Sequence, residues 1–145
     1  MTRGFTLVEM LVSVALLLVI AGLGYAFSFQ YLMSQQLHDA AYVVQEELRI
    51  AALDAFAQAA DAAHGVKVMD GQAVRFVGPS YAERIVSSDK AVPFPSSVTV
   101  SGDDEIVFPS GSMAPDAVST VTLSREDRSV DLNVNAYGVV TLVKN

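Results

Sequence analysis

The sequence predicts an α+β protein, in which the second half of a long amino-terminal helix packs against an antiparallel β-sheet. Three observations predict this class. Residues 10–29 are uncharged and mostly apolar, and residues 30–64 lack proline and repeat apolar side chains at helical spacing. From Val66 onward, apolar and polar residues alternate, as they do in half-buried strands. This change of period places the end of the helix near residue 65.

The apolar segment, residues 10–29, is long enough to cross a membrane. Its residues make roughly 30 Å of helix, about the thickness of the hydrocarbon layer. Glu9 stands immediately before this segment. A carboxylate at the centre of a bilayer is unfavourable by about 2.5 to 3.5 kcal/mol, and by less near the interface. Glu9 therefore requires a positively charged partner, for which an amine is the obvious candidate.

The segment Gly4-Phe5-Thr6-Leu7-Val8-Glu9 follows a leader that carries Arg3 and precedes the apolar segment. It resembles the class III signal of type IV prepilins and type II secretion pseudopilins. The resemblance implies the pilin fold, cleavage by a prepilin peptidase between Gly4 and Phe5, and methylation of the new amino group of Phe5. It also implies that Phe5, Thr6 and Glu9 take part in subunit assembly. Residues 1–4 are then the leader peptide, and residues 5–29 form the transmembrane and assembly half of the helix.

Glu9 has a physical role in such an assembly. An ion pair between Glu9 of one subunit and the Phe5 ammonium of its neighbour would neutralise two buried charges and set the axial register of the subunits. Within one subunit, Glu9 lies in the first helical turn, where the helix dipole favours an anion.

Two alternatives for the amino-terminal segment stay open. Glu9 is the last polar residue of an ordinary signal anchor, or the segment is a secretory signal that is cleaved after Gly24-Tyr25-Ala26. The mature chain begins at Phe5 in the prepilin interpretation, at Met1 in the first alternative and at Phe27 in the second. The mass of the mature chain therefore separates the three.

Residues 30–64 are expected to form the amphipathic half of the helix. We expect the helix to end at His64, with Gly65 as a left-handed cap. His38 and His64 would then be 26 residues apart on one helix, too far to share a site. Gly22 and Gly24 indicate either a kink or close helix packing. The apolar residues that recur at spacings of three and four are Leu37, Ala41, Val44, Leu48, Ala51, Ala55 and Ala59.

Residues 65–145 are expected to form an antiparallel β domain. A hairpin is predicted from residues 66–69 and 72–77 around the turn Asp70-Gly71. The strands at residues 98–101 and 105–108 are expected to pair through the turn Gly102-Asp103-Asp104. Residues 89–97 and 109–117 are expected to be loops. Further strands are predicted at residues 81–86, 120–124, 130–134 and 139–143.

The carboxy-terminal part carries a second, shorter resemblance. The segments Ile106-Val107-Phe108-Pro109-Ser110-Gly111 and Tyr137-Gly138-Val139 are similar to those of the FimT/GspH type of minor pilin and pseudopilin. That resemblance implies a helix packed on antiparallel strands. It points to a minor subunit, because major and minor pilins share the helix and differ in the tail.

The net charge of −7, which becomes −8 without the leader, argues against a nucleic-acid partner. An acidic protein does not attract a phosphate backbone over long distances. Direct DNA binding is therefore the less favoured alternative. The basic side chains available for a local patch are Arg75, Arg84, Lys90, Arg125 and Arg128.

No constellation in the sequence predicts catalysis, a metal site or a cofactor. The chain has no cysteine. The acidic cluster Asp103-Asp104-Glu105 lacks the alternating ligands and the glycine of a dedicated calcium loop, so a solvated turn is favoured over an ion site. We therefore expect a protein that is not an enzyme.

These observations together predict a minor pilin or pseudopilin, a filament subunit of a type IV pilus or type II secretion system. Its expected partners are other pilins or pseudopilins, the prepilin peptidase and the inner membrane. The chain would cross that membrane once, with its carboxy-terminal domain on the periplasmic side, before assembly into a pilus or pseudopilus. The alternatives are a monomeric bitopic envelope protein whose β domain binds a ligand or partner, and a DNA-uptake (competence) pilin.

Overall fold

The computed structural model describes residues 6–144, without the side chains of residues 24–30, 33 and 34. In this range the chain forms one α-helix, α1 (Leu7–Phe56), two short 3₁₀ helices (Ala59–Asp61 and Val86–Ser88) and eight strands. The strands are β1 (His64–Met69), β2 (Gln72–Val77), β3 (Lys90–Pro93), β4 (Thr99–Gly102), β5 (Glu105–Phe108), β6 (Ser119–Arg125), β7 (Arg128–Val134) and β8 (Val140–Lys144). The chain divides into two compact units, Met1–Ser34 and Gln35–Asn145.

The second unit contains two four-stranded antiparallel sheets. Sheet A has the strand order β3-β2-β1-β5, and sheet B has the order β4-β6-β7-β8. The second half of α1 packs against both sheets, and one continuous core results. The predicted α+β class, with a helix packed on antiparallel sheet, is therefore confirmed.

The core takes one face of the helix and one face of each sheet. Apolar residues of α1 at spacings of three and four are fully buried, as the periodicity predicts. Alternate residues along the strands meet them, because successive side chains of a strand point to opposite faces. The helical members are Leu37, Ala40, Ala41, Val44, Leu48, Ala51, Ala52 and Ala55, and the largest strand residues of this core are Phe108, Ile106, Leu123 and Leu132. Phe76 is also buried, but it lies on the other face of sheet A, opposite Gly65.

The predicted helix end at His64 is wrong, since α1 ends at Phe56. Gln58, with φ of 53°, Ala60, with φ of 57°, and Asp61, with φ of 50°, adopt left-handed backbone conformations that a helix cannot contain. The Ala55 carbonyl accepts a hydrogen bond from the Gly111 amide at 2.8 Å. The loop that contains Gly111 thus provides a hydrogen-bond donor for a carbonyl at the end of the helix. This contact between distant segments cannot be predicted from a local sequence pattern.

His64 and Gly65 accordingly belong to β1 and not to the end of a helix. The prediction of Gly65 as a left-handed cap is wrong. The helical separation assumed for His38 and His64 does not apply, because His64 lies on a strand. Gly65 is instead required by packing, as a Cβ there would lie 2.4 Å from Cζ of Phe76 and 2.9 Å from the Ile106 carbonyl oxygen.

The first hairpin and the carboxy-terminal strands are confirmed. β1 and β2 pair from Met69↔Gln72 outward, and Gly71 in the turn has φ of +85°. Sequential antiparallel pairing also joins β6 to β7 and β7 to β8. These elements are joined by short turns, so the alternation of apolar residues is sufficient to predict them.

Three predictions for residues 81–108 are wrong. Residues 81–84 form bends and turns, and Val86 begins a 3₁₀ helix, so the predicted strand is absent. Arg84 folds back to donate a hydrogen bond to the Tyr81 carbonyl at 2.6 Å. The predicted loop at residues 89–97 contains β3, whose Pro93 is tolerated because β3 is an edge strand. β4 and β5 do not pair with each other: β4 pairs with β6 in sheet B, and β5 pairs with β1 in sheet A.

Candidate functional site

Thr6 and Glu9 form a capping box at the start of α1. The Glu9 amide donates a hydrogen bond to Oγ1 of Thr6 at 3.3 Å. In return, Oε2 of Glu9 accepts from the Thr6 amide at 3.5 Å and from the Thr6 hydroxyl at 3.4 Å. The two side chains thus satisfy amides that have no partner within the helix.

The local sequence explains this geometry. A threonine followed three residues later by glutamate is the pattern of a capping box, so the cap was predictable from the sequence, although only an assembly role was predicted for these two residues. The position of Glu9 in the first helical turn is as predicted. There its carboxylate also interacts favourably with the helix dipole. Oε1 of Glu9 has no hydrogen-bond partner among residues 6–144, so one carboxylate oxygen is available to a further donor.

The residues on the amino-terminal side of the cap lie outside the described residues. Gly4 and Phe5, the predicted cleavage and methylation positions, are among them. The structure thus brings together Thr6 and Glu9 of the predicted assembly residues, while the pairing of Glu9 with a Phe5 amine stays a prediction.

The side chains of residues 7–23 are exposed in the first unit, including large apolar ones such as Leu7 at 77% and Leu18 at 68%. Over the residues that the structure describes, no helix meets the length and apolarity needed to span a membrane. The membrane segment predicted at residues 5–29 stays a prediction.

The acidic cluster Asp103-Asp104-Glu105 is held by protein donors. Nζ of Lys67 lies 2.9 Å from Oδ1 of Asp104 and 3.6 Å from Oε2 of Glu105. Glu105 also accepts from the Tyr81 amide, and Asp103 accepts from the Thr120 amide. The hydrogen bond to Asp104 raises the pKa of Lys67, and the charge of Glu105 adds to this effect. Within residues 6–144 no group of three or more metal-ligating side chains is arranged to hold an ion.

The five basic residues considered for nucleic acid do not act as one free patch. Arg75 is paired with Glu47 and Asp54, and Arg84 is paired with Asp89 at 2.8 Å. Arg125 donates a hydrogen bond to Gln36. Partners that neutralise or occupy a guanidinium weaken its attraction for phosphate. Lys90 and Arg128 are exposed.

A cavity of about 280 Å³ brings Asp54, His64 and Ser88 together with Arg75 and Lys90. These residue types invite comparison with a catalytic triad, which requires the histidine to hydrogen-bond both of the others. Here Nε2 of His64 lies 2.8 Å from the Ala59 carbonyl oxygen, and the Asp54 carboxylate is paired with Arg75. The cavity therefore lacks the geometry of nucleophilic catalysis among the described residues.

Residues 1–25 match the protein family described as the prokaryotic N-terminal methylation motif. The match spans the leader, the Thr6–Glu9 cap and the first turns of α1, and it supports a type IV prepilin-like protein. Proteins of that kind are structural, and the motif is that of a membrane-anchored precursor and prepilin peptidase substrate. The prepilin resemblance of the amino-terminal segment is thus confirmed. No curated protein and no solved structure was found to match the chain.

Proposed function

We propose that this protein is a minor pilin or pseudopilin, a filament subunit of a type IV pilus or type II secretion system. The observation that carries the proposal is the methylation motif at residues 1–25. A prepilin peptidase removes residues 1–4 and methylates Phe5. Before assembly the chain crosses the inner membrane once through residues 5–29, with its β domain on the periplasmic side. Other pilins or pseudopilins then bind it through the amino-terminal helix.

The geometry of the cap supports a role for Glu9 in assembly. One oxygen of its carboxylate is engaged by Thr6 through long hydrogen bonds of 3.4 and 3.5 Å, and the other is not engaged by any described residue. A carboxylate in this arrangement accepts a further hydrogen bond from an ammonium without leaving the helix uncapped. The Phe5 amine of a neighbouring subunit is the donor that we propose.

The FimT/GspH type is the subclass that we favour. The support is the tail resemblance at residues 106–111 and 137–139, together with a fold in which the helix packs on antiparallel sheets. The helix supplies polymerisation in this scheme, and the strands present the subunit's distinct surface.

The mass of the protein isolated from its native host tests processing. A chain that begins at Phe5 and carries one methyl group is expected. A chain that retains Met1 indicates a plain signal anchor, and one that begins at Phe27 indicates a secreted domain. Either of these results contradicts the proposal.

Substitutions at Glu9 and Thr6 separate assembly from helix capping. Glutamine can replace glutamate in a capping box but carries no charge. We therefore expect Glu9→Gln and Glu9→Ala to abolish co-assembly with other pilins equally, as measured by their content in sheared filaments or by co-purification. Thr6→Ser, which keeps the hydroxyl cap, is the matched control and should assemble normally.

The opposite pattern identifies a different function. If Glu9→Gln assembles as the unmodified chain does, the carboxylate acts only as a cap and the ion pair is wrong. If neither Glu9 substitution changes co-assembly, Glu9 has no role in it. If the unmodified chain itself is absent from sheared filaments and co-purifies with no other pilin, the chain is instead a monomeric bitopic envelope protein that uses its helix as an anchor.

A further inference from the structure

The two sheets have four edge strands, and three of these edges are protected. β3 is short and carries Lys90 and Pro93, which disfavour pairing with a further strand. The outward amide of Val100 in β4 donates to Oδ1 of Asp70 at 2.8 Å. The outward carbonyl of Val107 in β5 accepts from the Asp116 amide at 3.0 Å. These contacts occupy the groups that an added strand would need.

The fourth edge, β8, has unoccupied backbone groups. Val139 directs its carbonyl toward β7, since it accepts from the Asn135 amide at 3.1 Å. In an antiparallel ladder successive residues alternate in direction, so Thr141 and Val143 also face β7. Val140 and Leu142 then face outward. Nε2 of Gln45 donates a hydrogen bond to the Val140 carbonyl at 3.3 Å. No described residue forms a hydrogen bond with the outward amide or the outward carbonyl of Leu142.

The apolar core is incompletely covered at this same edge. Val140 and Leu142 are only partly buried where they pack against the core. A cavity of about 350 Å³ lies beside the start of β8 and is lined by Glu46, Arg49, Met113 and the turn at residues 138–140. An added strand would cover these apolar side chains with every second residue of its own.

The charges along the β8 edge favour one kind of binding partner over another. Arg49 borders the amino end of β8, and Lys144 ends the strand, with Glu46 as the anion nearby. A second copy that paired antiparallel through β8 would bring its Lys144 opposite Val140, where Arg49 repels it and Glu46 attracts it, so self-pairing gains no net charge complementarity. A strand of another protein with carboxylates at both ends would gain attraction from Lys144 at one end and would reach Arg49 at the other.

We propose that the outer edge of β8 and the adjoining face of α1 form a docking site for an extended, acidic-ended segment of a different protein. The segment adds to sheet B as a fifth, antiparallel strand. Its backbone pairs with Leu142, its alternate apolar side chains cover Val140 and Leu142, and its terminal carboxylates lie near Arg49 and Lys144. This site does not depend on the proposed filament role.

Hydrogen exchange followed by NMR tests the open edge directly, using the full chain in detergent micelles. In the free protein the amides of Thr141 and Val143 should be protected, and the amide of Leu142 should exchange rapidly. The probe is the acetylated and amidated peptide Glu-Thr-Val-Thr-Val-Thr-Glu. Its addition should protect Leu142 and shift the resonances of β8. The matched control peptide carries lysine in place of both glutamates, and its affinity should be lower by a factor of at least about ten.

Two sets of variants link binding to the edge. Leu142→Pro removes the outward amide without removing a hydrogen bond to β7, and it should weaken peptide binding about tenfold or more. Leu142→Ala keeps the amide and should weaken peptide binding less. Arg49→Glu combined with Lys144→Glu alters only exposed side chains, and it should reverse the preference between the two peptides. This double variant decides the question if Leu142→Pro does not fold.

Several results would overturn the proposal. The first is the absence of binding by the acidic peptide at concentrations up to about 1 mM. The second is equal binding of the peptide by a folded Leu142→Pro variant. The third is an unchanged preference between the two peptides in the charge-reversed variant. Protection of Leu142 that instead rises with protein concentration alone would show that a second copy occupies the edge.

Discussion

Gly65 shows how a single residue is determined by packing. It lies in β1 with Phe76 opposite it, and a methyl group at this position would overlap the Phe76 ring and approach the Ile106 carbonyl. Both neighbours are fully or almost fully buried, so neither can move away without disturbing the core.

Gly65→Ala should therefore destabilise the protein by about 1 to 3 kcal/mol, the usual effect of overpacking a core. Thermal or urea unfolding of the full chain in detergent measures this loss. Gly22→Ala is the control, because a Cβ at Gly22 would have no atom within 4 Å. Equal stability of Gly65→Ala and the unmodified chain would show that the strands separate easily at this point.

Lys67 makes stability depend on pH in the alkaline range. Its pKa is raised by the hydrogen bond to Asp104 in the folded protein. The charged form is therefore favoured by folding, and the resulting stabilisation is complete below the ordinary lysine pKa of about 10.4. It disappears as the pH rises through the higher folded value.

Urea unfolding should be compared at pH 8 and at a pH above about 10.4, the ordinary lysine pKa. Between these two pH values the free energy of unfolding should fall more for the unmodified chain than for Lys67→Met. Asp104→Asn should resemble Lys67→Met, since it removes the first cause of the shift. Parallel pH profiles for all three proteins would contradict this assignment.

At the scale of elements, an ion-pair cluster joins α1 to β2. Nε of Arg75 lies 3.0 Å from Oε2 of Glu47, and its Nη1 is bonded to Asp54. The side chains of Arg75 and Glu47 are 12% and 11% exposed, whereas that of Asp54 is 39% exposed. Two charges of opposite sign are thus mostly removed from water between helix and sheet.

Arg75→Leu should destabilise the fold by about 3 to 5 kcal/mol, because it leaves the Glu47 carboxylate buried without its partner. The double variant Arg75→Leu with Glu47→Leu should recover most of that loss, since an apolar pair of similar volume is often neutral. Asp54→Asn is the matched control for the exposed partner, with an expected loss of no more than about 1 kcal/mol. A double variant as unstable as the single one would contradict this account.

The turn after α1 also offers a test at this scale. Ala60 has φ of 57°, which is unfavourable for a residue with a Cβ. Ala60→Gly should stabilise the protein by about 0.5 to 1 kcal/mol in urea unfolding. Ala59→Gly, one residue earlier and without a positive φ, should instead be neutral or destabilising. A stabilising effect at both positions would indicate that backbone strain is not the cause.

At the scale of the whole molecule, the second unit contains the complete described core. Every member of the core cluster lies between Leu37 and Val134, inside Gln35–Asn145. The chain starting at Gln35 should therefore fold without the first unit. Its unfolding transition is expected within about 5 °C of that of the full chain, which corresponds to about 1 kcal/mol. A truncated chain with no cooperative transition would contradict this expectation.

Much of the fold follows from local patterns. The burial of one helical face, the hairpin around Asp70-Gly71 and the β6-β7-β8 meander were predictable because each depends on spacing and on short turns. The pairing of β4 and β5 was predicted wrongly for the same reason. They are separated by a short turn, yet each completes the edge of a different sheet.

At the candidate site, the sequence contains both the methylation motif and the capping box formed by Thr6 and Glu9. The capping box depends on two residues within one turn of each other and the motif on the contiguous residues 1–25, so local order is sufficient to define both. The end of α1, the position of Arg75 between two carboxylates and the open edge of β8 could not be predicted in this way. They depend on which distant segments meet, and only the packing of the helix against two separate sheets decides that.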